Sequence, residues 1–310
     1  MQRVLTTATL VGLLVATAAA FAITERLKLV KSPITGTHIS AVFSPTCGCA
    51  RERANISVKF RHRDVVTVSI LDSRLEPLRT LVAGQSVPRG RSVFRWEGLT
   101  DFGDKAPEGT YRVEIHLERQ HRTILFPDRI RLDTTAPQVD DAHPNRLQFS
   151  PDGDQRADSV SIQYVLSERA HALVYVNGQQ VIRSRFDPTK GAVLWSGRVD
   201  KMLLPPGVVT LEVGAVDVAG NITPAADRAR VRVEIRYITL ANHRIVGVRA
   251  GKVFEIGVST DAKLYAWRLG ARHGVKSGPL LRLLAPQQKG RYTLTVRELG
   301  HVDSATVLVK

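Results

Sequence analysis

Three aspartates lie close together in one short segment near the middle of the chain. Asp152, Asp154 and Asp158 occur within "FSPDGDQRAD", which begins at Phe149 and includes a glycine. Carboxylate oxygens at this spacing can surround Ca²⁺, a hard cation that takes oxygen ligands. The twelfth position lacks the Glu of an EF-hand loop, so that motif is excluded. The alternative is a set of Asx-turns that join the segment to a strand without metal.

The two cysteines of the chain, Cys47 and Cys49, are separated by one residue. In an exported protein they would oxidise readily, although a disulfide across a single residue is strained. The functional interpretation is a redox or metal-binding pair, and the structural one is a disulfide or thiol pair that ties down a loop. Among cofactors, Ca²⁺ is the one predicted here, at Asp152, Asp154 and Asp158.

Positive charge is concentrated at the carboxyl end of the chain. Residues 237–310 contain 12 Lys and Arg but only 4 Asp and Glu, which is +8 of the total net charge of +15. Such a surface attracts polyanions, including anionic lipid, acidic wall polymers and nucleic acid. The alternative is solubility and protection of strand edges. The candidate polyanion contacts are Arg268, Arg272, Lys276, Arg282, Lys289 and Arg291.

The sequence contains no recognisable catalytic motif. Its nine histidines are scattered without an H-E-x-x-H pair, and neither a G-x-S-x-G nucleophile elbow nor a G-x-x-x-x-G-K phosphate loop occurs. We therefore expect a protein that is not an enzyme.

The amino-terminal segment Val4–Ile23 is uncharged over twenty residues, about the length that crosses a bilayer as a helix. Its "AFA" at 20–22 also fits a signal-peptide cleavage site. We predict a single-pass protein of the cytoplasmic membrane with extracytoplasmic domains; the alternative is secretion after signal cleavage. Export under either interpretation argues against a nucleic-acid partner.

The chain repeats itself. "FSPTCGCARERANISVKF" from Phe43 aligns with "FSPDGDQRADSVSIQYVL" from Phe149 at an offset of 106 residues without a gap, and later "FRWEG" (94–98) matches "VLWSG" (193–197). Alternate positions are apolar, as a strand with one buried face requires. A third, more divergent copy follows, so that Trp96, Trp195 and Trp267 occur one per copy, each expected in a core.

Short strands with turns about every ten residues are typical of immunoglobulin-like sandwiches. The predicted fold class is therefore all-β, with tandem immunoglobulin-like β-sandwiches after one N-terminal transmembrane or signal helix. The predicted domains are the helix at 1–32, sandwiches at 33–136 and 137–236, and a smaller third sandwich at 237–310.

The segment "WEGLTDFGDKAPEGTY" (96–111) resembles the immunoglobulin-like module of the flagellar hook-capping protein FlgD and of secreted subtilisin-like proteases of the Vpr type. That module has the pattern W-D-G-R-D-D-x-G-x-x-V-P-x-G-x-Y. The matching residues are Trp96, Gly98, Asp101, Gly103, Pro107, Gly109 and Tyr111, whereas Glu97, Leu99, Thr100 and Ala106 depart from it.

"FSPDGDQRAD" similarly resembles the F-S-P-N-G-D-G-x-N-D opening of bacterial extracellular sandwich modules, with Gln155 and Ala157 as departures. Together the two resemblances cover residues 40–236 well, whereas residues 237–310 share only the general pattern of strands and turns. They imply a surface-protein module rather than flagellar capping, because an export segment stands where the hook-assembly segment would be.

These observations predict a non-catalytic extracytoplasmic structural or interaction protein of the bacterial cell envelope. Its expected partners are an envelope protein or an anionic polymer or lipid, with the membrane contacted through the N-terminal helix. The alternative is a calcium-assisted carbohydrate- or ligand-binding module, or an accessory subunit of an exported enzyme.

Overall fold

A computed structural model describes residues 11–21, 32–185 and 189–310 of the chain. Residues 11–21 are helical, while the rest of the predicted apolar segment Val4–Ile23 lies outside the described residues. Among the residues that are described, no helix combines the length and apolar character needed to span a bilayer.

The chain divides into two compact units, residues 1–134 and 135–310. The strands of the first unit are β1 (Ile34–Ile39), β2 (Val42–Phe43), β3 (Ala54–Phe60), β4 (Asp64–Leu71), β5 (Pro77–Val87), β6 (Gly90–Trp96), β7 (Gly109–Leu117) and β8 (Arg122–Leu132).

The second unit contains two successive groups of strands. The first group is β9 (Val139–Pro144), β10 (Gln148–Phe149), β11 (Val160–Leu166), β12 (His171–Val176), β13 (Gln179–Arg183), β14 (Lys190–Trp195), β15 (Arg198–Val199), β16 (Met202–Leu203), β17 (Gly207–Val216) and β18 (Ala229–Ile235), with a 3₁₀ turn at Ala225–Asp227. The second group is β19 (Thr239–Leu240), β20 (Arg244–Val248), β21 (Val253–Ser259), β22 (Tyr265–Leu269), β23 (Arg272–Lys276), β24 (Leu280–Leu284), β25 (Gly290–Glu298) and β26 (His301–Val309).

One strand order occurs three times. In the first unit a three-stranded sheet, β1-β3-β6, accompanies a five-stranded sheet, β2-β8-β7-β4-β5. The second unit repeats this with β14-β11-β9 and β10-β18-β17-β12-β13, and again with β19-β21-β24 and β20-β26-β25-β22-β23. Each five-stranded sheet begins with one parallel pair and continues antiparallel. The predicted tandem immunoglobulin-like β-sandwiches are confirmed, and the third copy has as many strands in its two sheets as the first.

Each sandwich has a hydrophobic core of its own. Alternate residues of β3, from Ala54 to Phe60, are buried, and the same alternation recurs in β11 and β25. Both sheets contribute to each core, as expected for packed sheets that each have one apolar face. The exact boundaries at 136 and 236 stay predictions.

Trp96 and Trp195 occupy equivalent places at the ends of β6 and β14. They are 1% and 2% exposed, and their rings pack on Phe43 and Phe149 at centroid distances of 5.1 and 5.6 Å. The Trp96 indole N–H donates to the Leu99 carbonyl at 2.9 Å, and that of Trp195 to the carbonyl three residues on, at 3.1 Å. Each indole therefore closes one end of a sandwich and also holds the following turn.

Trp267 packs against the third core but is not enclosed by it as the other two tryptophans are enclosed by theirs. It lies on β22 of the five-stranded sheet and is half-buried, because the neighbouring strand β23 is an edge strand and has Gly274 opposite the ring. In the third sandwich the buried residues at the corresponding end of β24 are Leu283 and Ala285, which are 4% and 2% exposed, so no indole closes this end. Tyr265, 1% exposed, fills the core instead.

The predicted turn after Trp96 is held by backbone and tyrosine hydrogen bonds. The Ala106 N–H donates to the Gly98 carbonyl at 2.8 Å, and the Tyr111 hydroxyl donates to the Pro107 carbonyl at 2.5 Å. Gly98 has φ +74°, and a Cβ there would lie 3.1 Å from Pro45 Cγ. Position 98 therefore favours glycine for two reasons: its φ is positive, and a Cβ would press against Pro45.

We expect Gly98→Ala to destabilise the first unit by about 2–3 kcal/mol, because it combines positive-φ strain with a clash against Pro45. Gly103→Ala is the matched control, since Gly103 has φ +86° with open space around its Cβ position, and should cost only about 1 kcal/mol. Calorimetric melting of the full chain measures both. Equal losses would show that the close packing at Gly98 contributes nothing.

Asp64 is a buried carboxylate, 1% exposed, at the start of β4. Burial alone would raise its pKa, but hydrogen bonds from the Gln120 side chain and from the backbone N–H groups of Arg119 and Val65 outweigh burial, so its pKa lies below the ordinary value of 3.8. These donors stabilise the ionised form in the folded state. The contribution to stability is therefore present above pH 3.8 and is lost as the pH falls through the lowered value.

We expect Asp64→Asn to cost about 2 kcal/mol at neutral pH, since an amide cannot accept all of these hydrogen bonds. The difference from wild type should shrink as the pH falls from 3.8 through the lowered pKa of Asp64, because the native carboxyl then also becomes protonated. Urea unfolding at several pH values measures it, with the exposed Asp128→Asn as the control. A loss that does not change with pH would refute the assigned role of the ionised carboxylate.

Candidate functional site

The predicted acidic loop connects β10 to β11, and it forms Asx-type turns. Asp158 accepts the backbone N–H groups of Gly153 and Gln155 at 2.7 and 2.8 Å. Asp152 accepts the N–H of Asp154 at 3.2 Å. One carboxylate oxygen from each aspartate lies within 4.8 Å of the others. The loop therefore has the turns of the structural interpretation and also the convergent oxygens that metal binding requires; the metal stays a prediction.

Two further carboxylates approach Asp152, and the sequence analysis missed both. Asp261 follows β21, and Glu298 ends β25. One oxygen from each lies within 4.8 Å of an oxygen of Asp152. Glu298 is 6% exposed and accepts the Thr260 hydroxyl. A signal existed, because Glu298 continues the inward alternation of β25, where a charged residue is unusual.

The surroundings of these carboxylates disfavour their ionisation. Burial raises the pKa of Glu298 and of Asp261 above the ordinary carboxyl values, and the nearby charges of Asp152 and Asp154 raise both further. The Asp261 Oδ2 atom is buried without a hydrogen-bond partner. Three acidic groups thus lie close together, Glu298 buried and Asp152 and Asp261 half-buried.

A cavity of about 190 Å³ adjoins this group, with Ser150, Thr260 and Asp261 in its wall. Tyr237 lines the same cavity; it is 4% exposed, and its hydroxyl has no hydrogen-bond partner. Burial raises the pKa of Tyr237, as does the charge of Asp152. Two residues that line the cavity, Tyr237 and Asp261, therefore each carry a buried polar atom without a hydrogen-bond partner.

The six basic candidates do not share one surface, although all are exposed. Arg268 lies on β22 and Arg272 and Lys276 lie on the adjoining edge strand β23, so these three share one hairpin. Arg282 lies on β24 in the other sheet and pairs with Glu255 at 2.5 Å. Lys289 lies in the loop before β25, and Arg291 lies on β25 itself.

Cys47 and Cys49 are joined by a disulfide in the loop between β2 and β3. This loop occupies the place in the first sandwich that the acidic loop occupies in the second. Pro45 and Pro151 mark the equivalence, since they approach the Cβ positions of Gly98 and Gly197 at 3.1 and 3.0 Å respectively. The corresponding loop thus carries a disulfide in the first sandwich and carboxylates in the second.

The fold defines a tandem immunoglobulin-like β-sandwich protein. No protein-family model and no curated protein matches the chain. Solved structures to which it is similar include the fibronectin(III)-like modules of Clostridium thermocellum CbhA, with 13% identity over 65% of this chain and 94% of that chain and a TM-score of 0.35.

Two other similar structures are tandem-domain fragments. A three-immunoglobulin structure of titin domains I67–I69 has 10% identity, covering 90% of this chain and 99% of that one with a TM-score of 0.31. The D0-D1 domain of intimin has 9% identity, covering 65% of this chain and 98% of that one, with a TM-score of 0.25.

Proposed function

We propose that this chain is a non-catalytic structural or interaction protein of the bacterial cell envelope, exposed outside the cytoplasm. The observation that carries the proposal is the use of one sandwich topology three times, each copy with its own closed core. Such modules present loops and strand edges to partners. The Cys47–Cys49 disulfide supports an oxidising compartment.

We also propose that the first sandwich is of the FlgD/Vpr type. The proposal is supported by the way that its matching residues act together: Trp96 and Tyr111 are in edge contact at 4.8 Å, and both hold the intervening turn by hydrogen bonds. This explains why the pattern pairs an aromatic residue with a second one after a turn rich in Gly, Asp and Pro.

The partner surface that we favour is the edge hairpin β22–β23, which carries basic residues on both of its faces. Arg272 and Lys276 share the face of the buried Leu269 and Tyr265, and Arg268 lies on the opposite face. Charged side chains on an edge strand also prevent unwanted strand pairing, so binding has to be tested directly. An anionic polymer or lipid is the expected partner, because the hairpin belongs to the part of the chain with a net charge of +8.

We expect full-length protein to bind vesicles of phosphatidylglycerol more tightly than vesicles of phosphatidylcholine, with the difference falling as salt is raised. The variant Arg268→Glu, Arg272→Glu, Lys276→Glu should lose about a hundredfold in affinity for the anionic vesicles. Cosedimentation measures both. The charge-reversed variant separates the hairpin from the N-terminal segment, because the basic flanks of that segment, Arg3, Arg26, Lys28 and Lys31, also favour anionic lipid and are unchanged in the variant.

The control for that experiment is Arg89→Glu, Arg91→Glu, Arg95→Glu, an equal change of charge at exposed positions of the first unit. Equal losses in both variants would show that only the net charge matters. Unchanged binding by the hairpin variant would refute the assignment of the polyanion contact.

For localisation we expect the protein in the envelope fraction, and we expect it to resist a carbonate wash, because the uncharged segment Val4–Ile23 follows the pattern of a retained anchor. Protease added to spheroplasts should degrade the sandwiches. Release into the medium would instead support a cleaved signal, and protection from protease would overturn an extracytoplasmic position.

A further inference from the structure

Acidic side chains from two sandwiches meet within the second unit. Asp152 belongs to the β10–β11 loop, whereas Asp261 and Glu298 belong to the sandwich that follows. Their carboxylate oxygens converge within 4.8 Å. The Arg156 guanidinium, from the same loop as Asp152, donates to the backbone carbonyl of Asp261 at 3.4 Å. The two sandwiches are therefore in contact at this group.

Observations other than acidity indicate that the group is built to hold a ligand. Tyr237 lines the cavity and is 4% exposed, and its hydroxyl is buried without a hydrogen-bond partner. Asp261 Oδ2 is likewise buried and unpartnered. Unsatisfied buried polar groups are rare in native proteins and are often explained by a bound ion or water.

The charge of the group also needs compensation. Within the described parts of the chain, no Lys or Arg side chain forms an ion pair with Asp152, Asp261 or Glu298. The nearby Arg156 contact is to a backbone carbonyl rather than to a carboxylate. Like charges held this close repel one another, so a bound cation would stabilise the arrangement.

We propose that Asp152, Asp261 and Glu298 bind one Ca²⁺ ion between the second and third sandwiches. The donor set consists of oxygen atoms, which excludes a typical zinc site. Ca²⁺ accepts an irregular set of oxygen ligands, whereas Mg²⁺ demands a near-ideal octahedron. Asp154, from the same loop, supplies a further carboxylate or positions a bound water, and the Tyr237 hydroxyl donates to such a water.

The site differs from one built by the acidic loop alone, because two of its three ligands come from the other sandwich. An ion bound there joins the two sandwiches and restrains their junction. The inference does not rest on the proposed function, since a calcium-stiffened junction would serve an adhesive, a scaffold or an accessory subunit equally.

The test uses the full-length chain and Ca²⁺ alone. Calorimetric titration of wild type should show one site of about 10⁻⁵–10⁻³ M affinity, and Ca²⁺ should raise the melting temperature above that in EDTA, since a ligand that binds only the folded state stabilises it. Asp261→Asn and Glu298→Gln should each weaken binding at least about tenfold.

The sign of the stability change distinguishes a metal ligand from a structural carboxylate. In EDTA the two variants should melt at or above the wild-type temperature, because each removes a repelling charge, yet they should gain little from Ca²⁺. Glu255→Gln, which removes only an exposed ion pair with Arg282 in the third sandwich, should keep the full wild-type response to Ca²⁺. A variant that melts lower in EDTA and still responds fully to Ca²⁺ would refute the proposal.

Two other outcomes would also overturn it. The first is that wild type binds no Ca²⁺ at millimolar concentration. The second is that Ca²⁺ binds but only Asp158→Asn weakens it, which would place the ion in the acidic loop alone. Hydrogen exchange gives an independent check: Ca²⁺ should slow exchange around Tyr237 and Asp261 and leave the first unit unchanged.

Discussion

Burial of one apolar face on every sheet is the interaction on which the rest of this protein depends. A strand such as β3 places alternate residues on opposite faces, and its inward residues are removed from water only when a second sheet covers them. Three pairs of sheets do this, and each pair has the same strand order. Since all three cores are closed by their own strands, loops and edges remain free to vary between copies.

This variation between copies is clearest in the loop beside the buried tryptophan. Phe43 and Phe149 pack on the indoles of Trp96 and Trp195 in the same way. The loops that follow these phenylalanines differ completely, however: one is closed by a disulfide and the other carries three aspartates. A common framework therefore holds different chemistry at corresponding places, because the packing constraint ends where the loop begins.

The segment that connects the second and third sandwiches is buried in their cores. Tyr237, Ile238 and Leu240 are 4%, 3% and 3% exposed, and the Tyr237 ring stacks on His301 at 3.5 Å. A buried connection limits how far two sandwiches can move apart, since separation would expose these side chains to water. Within the second unit, the junction can therefore hold side chains from both partners at defined distances.

The sequence alone determined the sandwich class, the repeat and the places of Trp96 and Trp195, because alternation and turn residues are local features that a reader can follow along the chain. It also located Asp152, Asp154 and Asp158. It did not place Trp267, whose burial depends on a neighbouring edge strand, nor did it separate Arg282 from the hairpin of Arg268. Only the tertiary structure brought Asp261 and Glu298 to Asp152, because that proximity arises from the packing of one sandwich on the next.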